Sequence, residues 1–209
     1  MGQRGEPRRT HASDGELGAA VARAQQGDED AFAVAYRIVH PGLLGYLRGL
    51  VGEDAEDVAS DAWLEIARDL ARFDGDGAGF RGWTAAIARH RALDHLRRRR
   101  VRPRAAALDE EDVLGLAGPL DTYEQALESL STARALGLVR TLPPDQAEAV
   151  LLRVVVGLDA PAAARVLGKR PGAVRTAAYR GLKRLAERLA ATGAPQDEPR
   201  RPGESAEPE

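Results

Sequence analysis

Six arginines fall within residues 97–104, and nine lie between Arg81 and Arg104 against a single acid, Asp94. A second basic run, Lys169 to Arg188, sets seven Lys and Arg against Glu187 alone. Clustered cations of this density neutralise phosphates, and that term alone supplies sequence-independent affinity for nucleic acid. Between the runs, Ala105 to Glu128 holds seven acids and no Lys or Arg. The net charge of −2, from 30 basic and 32 acidic residues, therefore conceals strong segregation along the chain. A solvated charged face is the competing reading of any one run. It weakens here because each run lies on a helix with other nucleic-acid-binding features.

Catalytic and metal chemistry find little support. The chain has no cysteine, which removes disulfide scaffolds, thiol nucleophiles and Cys-based zinc or iron–sulfur sites and fits a reducing cytoplasm. Its histidines are His11, His40, His90 and His95. His90 and His95 are five apart, about 140° around a helix, whereas metal-binding pairs on helices want a spacing of three or four. There is no Gly-Lys-Ser/Thr phosphate loop and no Gly-x-Ser-x-Gly elbow. No enzymatic activity, metal or cofactor is expected. No apolar run approaches the roughly 20 residues that span a bilayer, so no membrane insertion is expected. The basic N-terminus has no apolar stretch after it, so no signal peptide is expected either.

The elements that must position the basic runs read as helices. Aromatics are 4% of the chain and hydrophobics 44%, with frequent Ala and Leu, which favours an all-α protein over a β-sandwich. We expect two small helical domains, 14–102 and 126–191, joined by a flexible acidic linker, 103–125. Tails at 1–13 and 192–209 are too polar to order. In the first domain a helix from Asp14 to Gln26 should end at Gly27. Asp28 should cap a long second helix, which Pro41 should kink or interrupt. A third helix follows from Asp54 to about Ala71, then a Gly-rich loop over 72–79, then a fourth helix from Phe80 to about Arg100.

The third helix carries an apolar stripe, Val58, Ala62, Ile66 and Leu70, joined by Trp63 and Ala67. Its other side shows Glu56, Asp57, Ser60, Asp61, Glu65 and Asp69, either a solvated face or a dock for a basic partner. On the fourth helix Trp83, Ala86, Ile87 and Leu93 share a side. Arg89, Arg91, His95, Arg98 and Arg99 lie off it. The glycines of the preceding loop would let backbone close around a ligand such as an extruded base, or merely connect two helices.

The second domain contains the clearest local motif. An apolar-periodic helix from Asp145 to Val155 ends at Gly157. A short helix capped by Asp159 runs through Leu167, Gly168 supplies a left-handed turn, and Pro171 suits the first position of a final helix. This is the spacing of a helix-turn-helix, whose second helix presents polar residues to base edges. Here those residues are Arg170, Arg175, Thr176, Tyr179, Arg180 and Lys183. Arginine can bond guanine bidentately or clamp a phosphate.

Taken in order, these segments resemble the short, two-domain sigma factors of bacterial RNA polymerase, the extracytoplasmic-function type. Gly27-Asp28-Glu29-Asp30-Ala31-Phe32 is similar to the family's opening. Asp54-Ala55-Glu56-Asp57-Val58 with Ser60-Asp61-Ala62-Trp63-Leu64 is similar to its polymerase-docking helix. Phe80-Arg81-Gly82-Trp83, Ile87-Ala88-Arg89 and Ala92-Leu93-Asp94-His95-Leu96-Arg97-Arg98-Arg99 are similar to its promoter-melting helix. Leu142-Pro143-Pro144 through Gly157, Leu167-Gly168, Ala173-Val174-Arg175-Thr176 and Arg180 resemble its −35-reading domain. His90, Ser60 and Ala177-Ala178 stand where the family more often has Asn, Gln and Arg-Leu.

The resemblance implies promoter-specific initiation with core RNA polymerase. Glu56, Asp57, Ser60, Asp61, Leu64 and Glu65 would meet the clamp helices of the largest subunit, and the second domain would meet the flap of the second largest. Asp74, Gly75, Asp76, Arg81, Arg89, Arg91, His95, Arg98 and Arg99 would hold the melted −10 element. Arg170, Arg175, Thr176, Tyr179, Arg180 and Lys183 would read duplex −35 DNA. An anti-sigma partner is also implied. The competing expectation is a dimeric helix-turn-helix regulator that binds duplex without polymerase.

Overall fold

A computed structural model of the chain describes residues 10–101 and 123–193. The expected tails and acidic linker lie mostly outside the described residues. Eight α-helices and no strand are found among the described residues: α1 (Thr10–Ala24), α2 (Glu29–Val51), α3 (Ala55–Asp69), α4 (Gly77–Val101), α5 (Tyr123–Arg140), α6 (Pro144–Val150), α7 (Ala160–Leu167) and α8 (Pro171–Gly193). Helix α1 thus begins inside the segment read as an N-terminal tail, and α5 inside the segment read as linker.

Capping sets several boundaries. The Asp28 carboxylate accepts from the Ala31 amide at 2.9 Å, which starts α2 where the sequence placed it. That bond, reinforced by Arg23, holds the Asp28 carboxyl below its usual range. Asp159 starts α7 in the same way, accepting from the Ala162 amide at 2.7 Å. Gly168 ends α7 with φ +64°, and the Lys169 amide then reaches back to the Ala164 carbonyl at 2.9 Å.

Two expectations are amended. Of the two outcomes expected at Pro41, interruption does not occur: α2 runs through it. The proline sits on the exposed side, where water can satisfy the carbonyl its missing N–H leaves free. Second, α4 begins at Gly77 rather than Phe80. The Asp76 carboxylate accepts from the Gly79 amide at 2.7 Å and caps the helix. Gly77 also sits where a Cβ would collide with the Asp14 carbonyl oxygen of α1, so the glycine permits a close crossing.

Helices α1 to α4 enclose Leu17, Leu43, Tyr46, Leu47, Ile66 and Phe80, all at most 1% exposed. One edge of α2 and α3 is closed by aromatic rings. Tyr36 lies 4.5 Å from His40 and 4.6 Å from Trp63, and the Trp63 indole N–H donates to His40 Nδ1 at 3.1 Å. In the C-terminal half α5 to α8 surround Val150, Leu151, Leu152 and Val174. The apolar cluster is continuous between the halves rather than split into two.

Candidate nucleic-acid interface

Three surfaces carry the residues singled out in the sequence. On α3, Val58, Ala59, Ala62, Trp63 and Ile66 point inward. Glu56, Asp57, Ser60, Asp61 and Leu64 point outward together, and Leu64 is 71% exposed. The Ser60 hydroxyl donates to the Glu56 carbonyl at 3.0 Å, and Arg48 donates to the Glu56 carboxylate at 2.8 Å. Glu65 behaves differently. It is half-buried and accepts from Arg91 at 2.6 Å, tying α3 to α4.

The expected −10 surface on α4 is dominated by paired charges. Arg81 donates to Asp14 at 2.7 Å and its side chain is only 12% exposed. Arg89 grips Glu148 of α6 with two bonds, at 2.9 and 3.2 Å, and this partner raises the guanidinium pKa further. His95 and Arg99 share one oxygen of Asp54, at 3.0 and 2.6 Å. Arg98 faces solvent.

The preceding turn keeps Asp74 and Gly75 exposed, while Asp76 serves as the α4 cap. Gln25 of α1 fixes this turn by donating to the carbonyls of Leu70 and Phe73, at 3.0 and 2.6 Å. Phe73, Phe80 and Trp83 pack with ring centroids 5.2–5.6 Å apart. Phe73 and Trp83 line a cleft with Asp74 and Gly79, and Ala162, Arg165 and Val166 of α7 form its other wall.

The third surface is α8. Val174, Ala178 and Gly181 face inward, with Gly181 set closely against Val150 and the Gln146 carbonyl. Arg170, Arg175, Thr176, Tyr179, Arg180 and Lys183 all face outward, and Tyr179 is 69% exposed. The Thr176 hydroxyl donates to the Gly172 carbonyl at 3.0 Å, within its own helix. Lys183 lies 3.9 Å from Glu187, its only ion pair among those resolved.

Sequence reading missed the pairing of these cations with acids, including Glu65, which it placed on the polymerase-docking face rather than against Arg91. Asp14, Asp54, Glu65 and Glu148 lie 67, 41, 26 and 59 residues from their partners, so no local spacing could have paired them. It also missed Arg72 and Arg165 at the cleft. Among the described residues no group of three or more His, Asp or Glu is placed to hold a metal ion, and no helix is long and apolar enough to cross a membrane.

Comparison with known proteins matches this architecture twice along the chain. The Sigma-70 region 2 family covers residues 35–102, and the Sigma-70 region 4 family covers 132–185. The chain is 37% identical over 174 residues to the ECF RNA polymerase sigma factor BldN of Streptomyces coelicolor, matching 81% of this chain and spanning 64% of BldN's length. It is 35% identical over 184 residues to the ECF RNA polymerase sigma factor SigD of Mycobacterium tuberculosis, covering 85% of each. In fold it is similar to CnrH, solved in complex with the cytosolic domain of CnrY, with a TM-score of 0.58 at 24% identity over 86% of this chain and 98% of that one. With both sigma-70 regions present in order, and one third of its residues shared with SigD along most of both chains, this chain belongs to the ECF family of RNA polymerase sigma factors.

Proposed function

We propose that this ECF sigma factor divides promoter-specific initiation among its three surfaces. The α3 face of Glu56, Asp57, Ser60, Asp61 and Leu64 docks on the clamp helices of the core polymerase. Glu65 supports that face from within by holding Arg91. The turn at Asp74 and Gly75, the Phe73–Trp83 cleft and the cations of α4 hold the melted −10 strand, where stacking and phosphate contacts dominate single-strand binding. Helix α8 enters the major groove of −35 duplex with Arg175, Tyr179, Arg180 and Lys183, and the same domain meets the polymerase flap. The chain works beside its polymerase in the cytoplasm. A regulatory protein of anti-sigma type covers these faces when initiation is not required; CnrH, of the same fold, was solved with a second protein bound.

The observation that carries this reading is the pairing of two unlike outward faces on separate elements. An acidic face with an exposed leucine at its C-terminal end suits a protein partner. A basic helix-turn-helix suits duplex DNA. A dimeric regulator needs the second but has no use for an Arg-rich helix beside an aromatic cleft. Run-off transcription with purified core polymerase, with and without the protein, on fragments from its own upstream region tests it. Discrete new transcripts, lost on Asp61→Arg and on Arg175→Ala, are expected. No transcript, with tight duplex binding by the protein alone, would establish the regulator instead.

A further inference from the structure

Of the 30 basic residues in the chain, 28 are arginine. The two lysines, Lys169 and Lys183, both lie in the helix-turn-helix, one in the turn after α7 and the other on the outward face of α8. The two kinds of cation differ in chemistry. A guanidinium cannot be deprotonated in a protein, so an arginine's charge is fixed. An ammonium can give up its proton, and the free amine is a nucleophile toward activated acyl groups. Helix α4 has seven arginines and no lysine. Side-chain charge that acyl transfer can cancel is therefore confined to the element that faces duplex.

The two lysines are not equivalent. Lys169 Nζ lies 2.7 Å from Asp145 Oδ1, and its side chain is 35% exposed. Asp145 thus occupies the nitrogen that would have to attack. Lys183 is 64% exposed, and its Nζ stands 3.9 Å from Glu187, the outer limit of an ion pair. On the same helix Arg180, one turn before it, and Arg184, next in sequence, are both exposed. Fixed cations around a reachable amine draw in a donor that carries phosphate.

We propose that Lys183 is an acylation site that sets the affinity of α8 for duplex DNA, reacting directly with an anionic acyl donor, either an acyl phosphate or a nucleotide-borne acyl thioester. The deprotonated Nζ attacks the acyl carbon. The C–N bond forms as the C–O bond to phosphate, or the C–S bond to the thiol, breaks. Phosphate or thiolate leaves with the electron pair, and the proton shed by the amine passes to solvent. The product is a neutral amide, which no longer attracts a DNA phosphate. Glu187, left without its cation, adds a negative charge to the same face. The effect on DNA rests on the −35 reading of α8; the acyl transfer does not. One lost phosphate contact lowers the salt slope of duplex binding by about 0.9. At 0.15 M salt, referred to 1 M, that is about a fivefold loss of affinity.

The test incubates the full-length protein with acetyl phosphate and, separately, with acetyl-coenzyme A. Peptide mass spectrometry locates and quantifies the acetyl groups. Anisotropy titration over a range of salt measures binding to labelled duplex from the chain's own upstream region. Lys183 should be acetylated ahead of Lys169, and the treated protein should bind about fivefold more weakly than before treatment, with the salt slope lower by about 0.9. The donor that gives more product identifies the source. Lys183→Arg has no amine to acylate at this position, so its affinity should be the same before and after treatment. Lys169→Arg should lose affinity on treatment as the unaltered chain does. No acetylation with either donor, or Lys169 modified ahead of Lys183, overturns the site. An equal loss in treated Lys183→Arg overturns the assignment of the effect to this lysine. Acetylated Lys183 with undiminished affinity, where Arg175→Ala weakens binding, overturns the control of affinity and leaves the −35 reading standing. If neither acetylation nor Arg175→Ala weakens binding, both are overturned.

Discussion

Helices α4 and α8 carry similar densities of positive charge and use them differently. On α4 nearly every cation named in the sequence is bound to an acid from another element: Arg81 to Asp14, Arg89 to Glu148, Arg91 to Glu65, and His95 with Arg99 to Asp54. On α8 the cations Arg175, Arg180 and Lys183 stand out from a helix that buries only Val174, Ala178 and Gly181 on its inner side. A basic run therefore has two possible roles. It can build a fold by recruiting distant carboxylates, or it can wait for phosphate. Charge density along the chain does not distinguish them, because pairing depends on what the fold brings within about 4 Å.

The sharpest test of the contrast compares an aromatic residue from each helix. Phe80 is fully buried on α4, and Phe80→Ala should cost about 3–5 kcal/mol of unfolding free energy. Tyr179→Ala on α8 should leave stability within about 0.5 kcal/mol while weakening −35 duplex binding. Urea unfolding of both variants would break the comparison if the two midpoints shift equally.

A smaller effect separates the arginines. Arg175→Ala should weaken specific −35 binding by about 1–3 kcal/mol, or roughly 5–150-fold, with no loss of thermal stability. Arg91→Ala should do the reverse and lower stability by about 1–2 kcal/mol, because Glu65 is left half-buried without its partner. Equal melting temperatures for these two variants would contradict the assignment. Arg98, exposed near the end of α4, should behave like α8. Arg98→Ala should lower the salt slope of single-strand binding by about 0.7 and change sequence preference little.

The smallest effect is a pH dependence inside the N-terminal half. Burial holds the His40 imidazole below its usual range, and Nδ1 must stay unprotonated to accept from Trp63. As pH falls below about 6.5 the unfolded chain binds this proton first, so stability should decline from there down to the lower folded-state pKa. Above about 6.5 this group contributes no slope. His40→Gln should flatten the dependence, and a urea midpoint that rises on acidification from pH 7 to 5.5 would contradict the sign.

Much of this was legible in the chain. Local chemistry gave the all-α class, the Asp28 and Asp159 caps and the Gly168 turn. It also gave the outward row on α8, because each follows from residues within one or two turns of one another. Whether Pro41 interrupts α2 was not legible, because its cost depends on which side of α2 faces water. The start of α4 misled, since three glycine-rich residues read as loop until Asp76 caps them and Asp14 packs against Gly77. By itself the sequence determined which helices form, which faces are apolar and where the cations are concentrated. Only the tertiary structure decided which cations are already matched with acids, which glycines receive Leu151 and Val155, and that Glu65 and Arg81 hold helices together. Those outcomes depend on residues 26 to more than 100 positions apart, brought together by burial of a shared apolar cluster that no local pattern encodes.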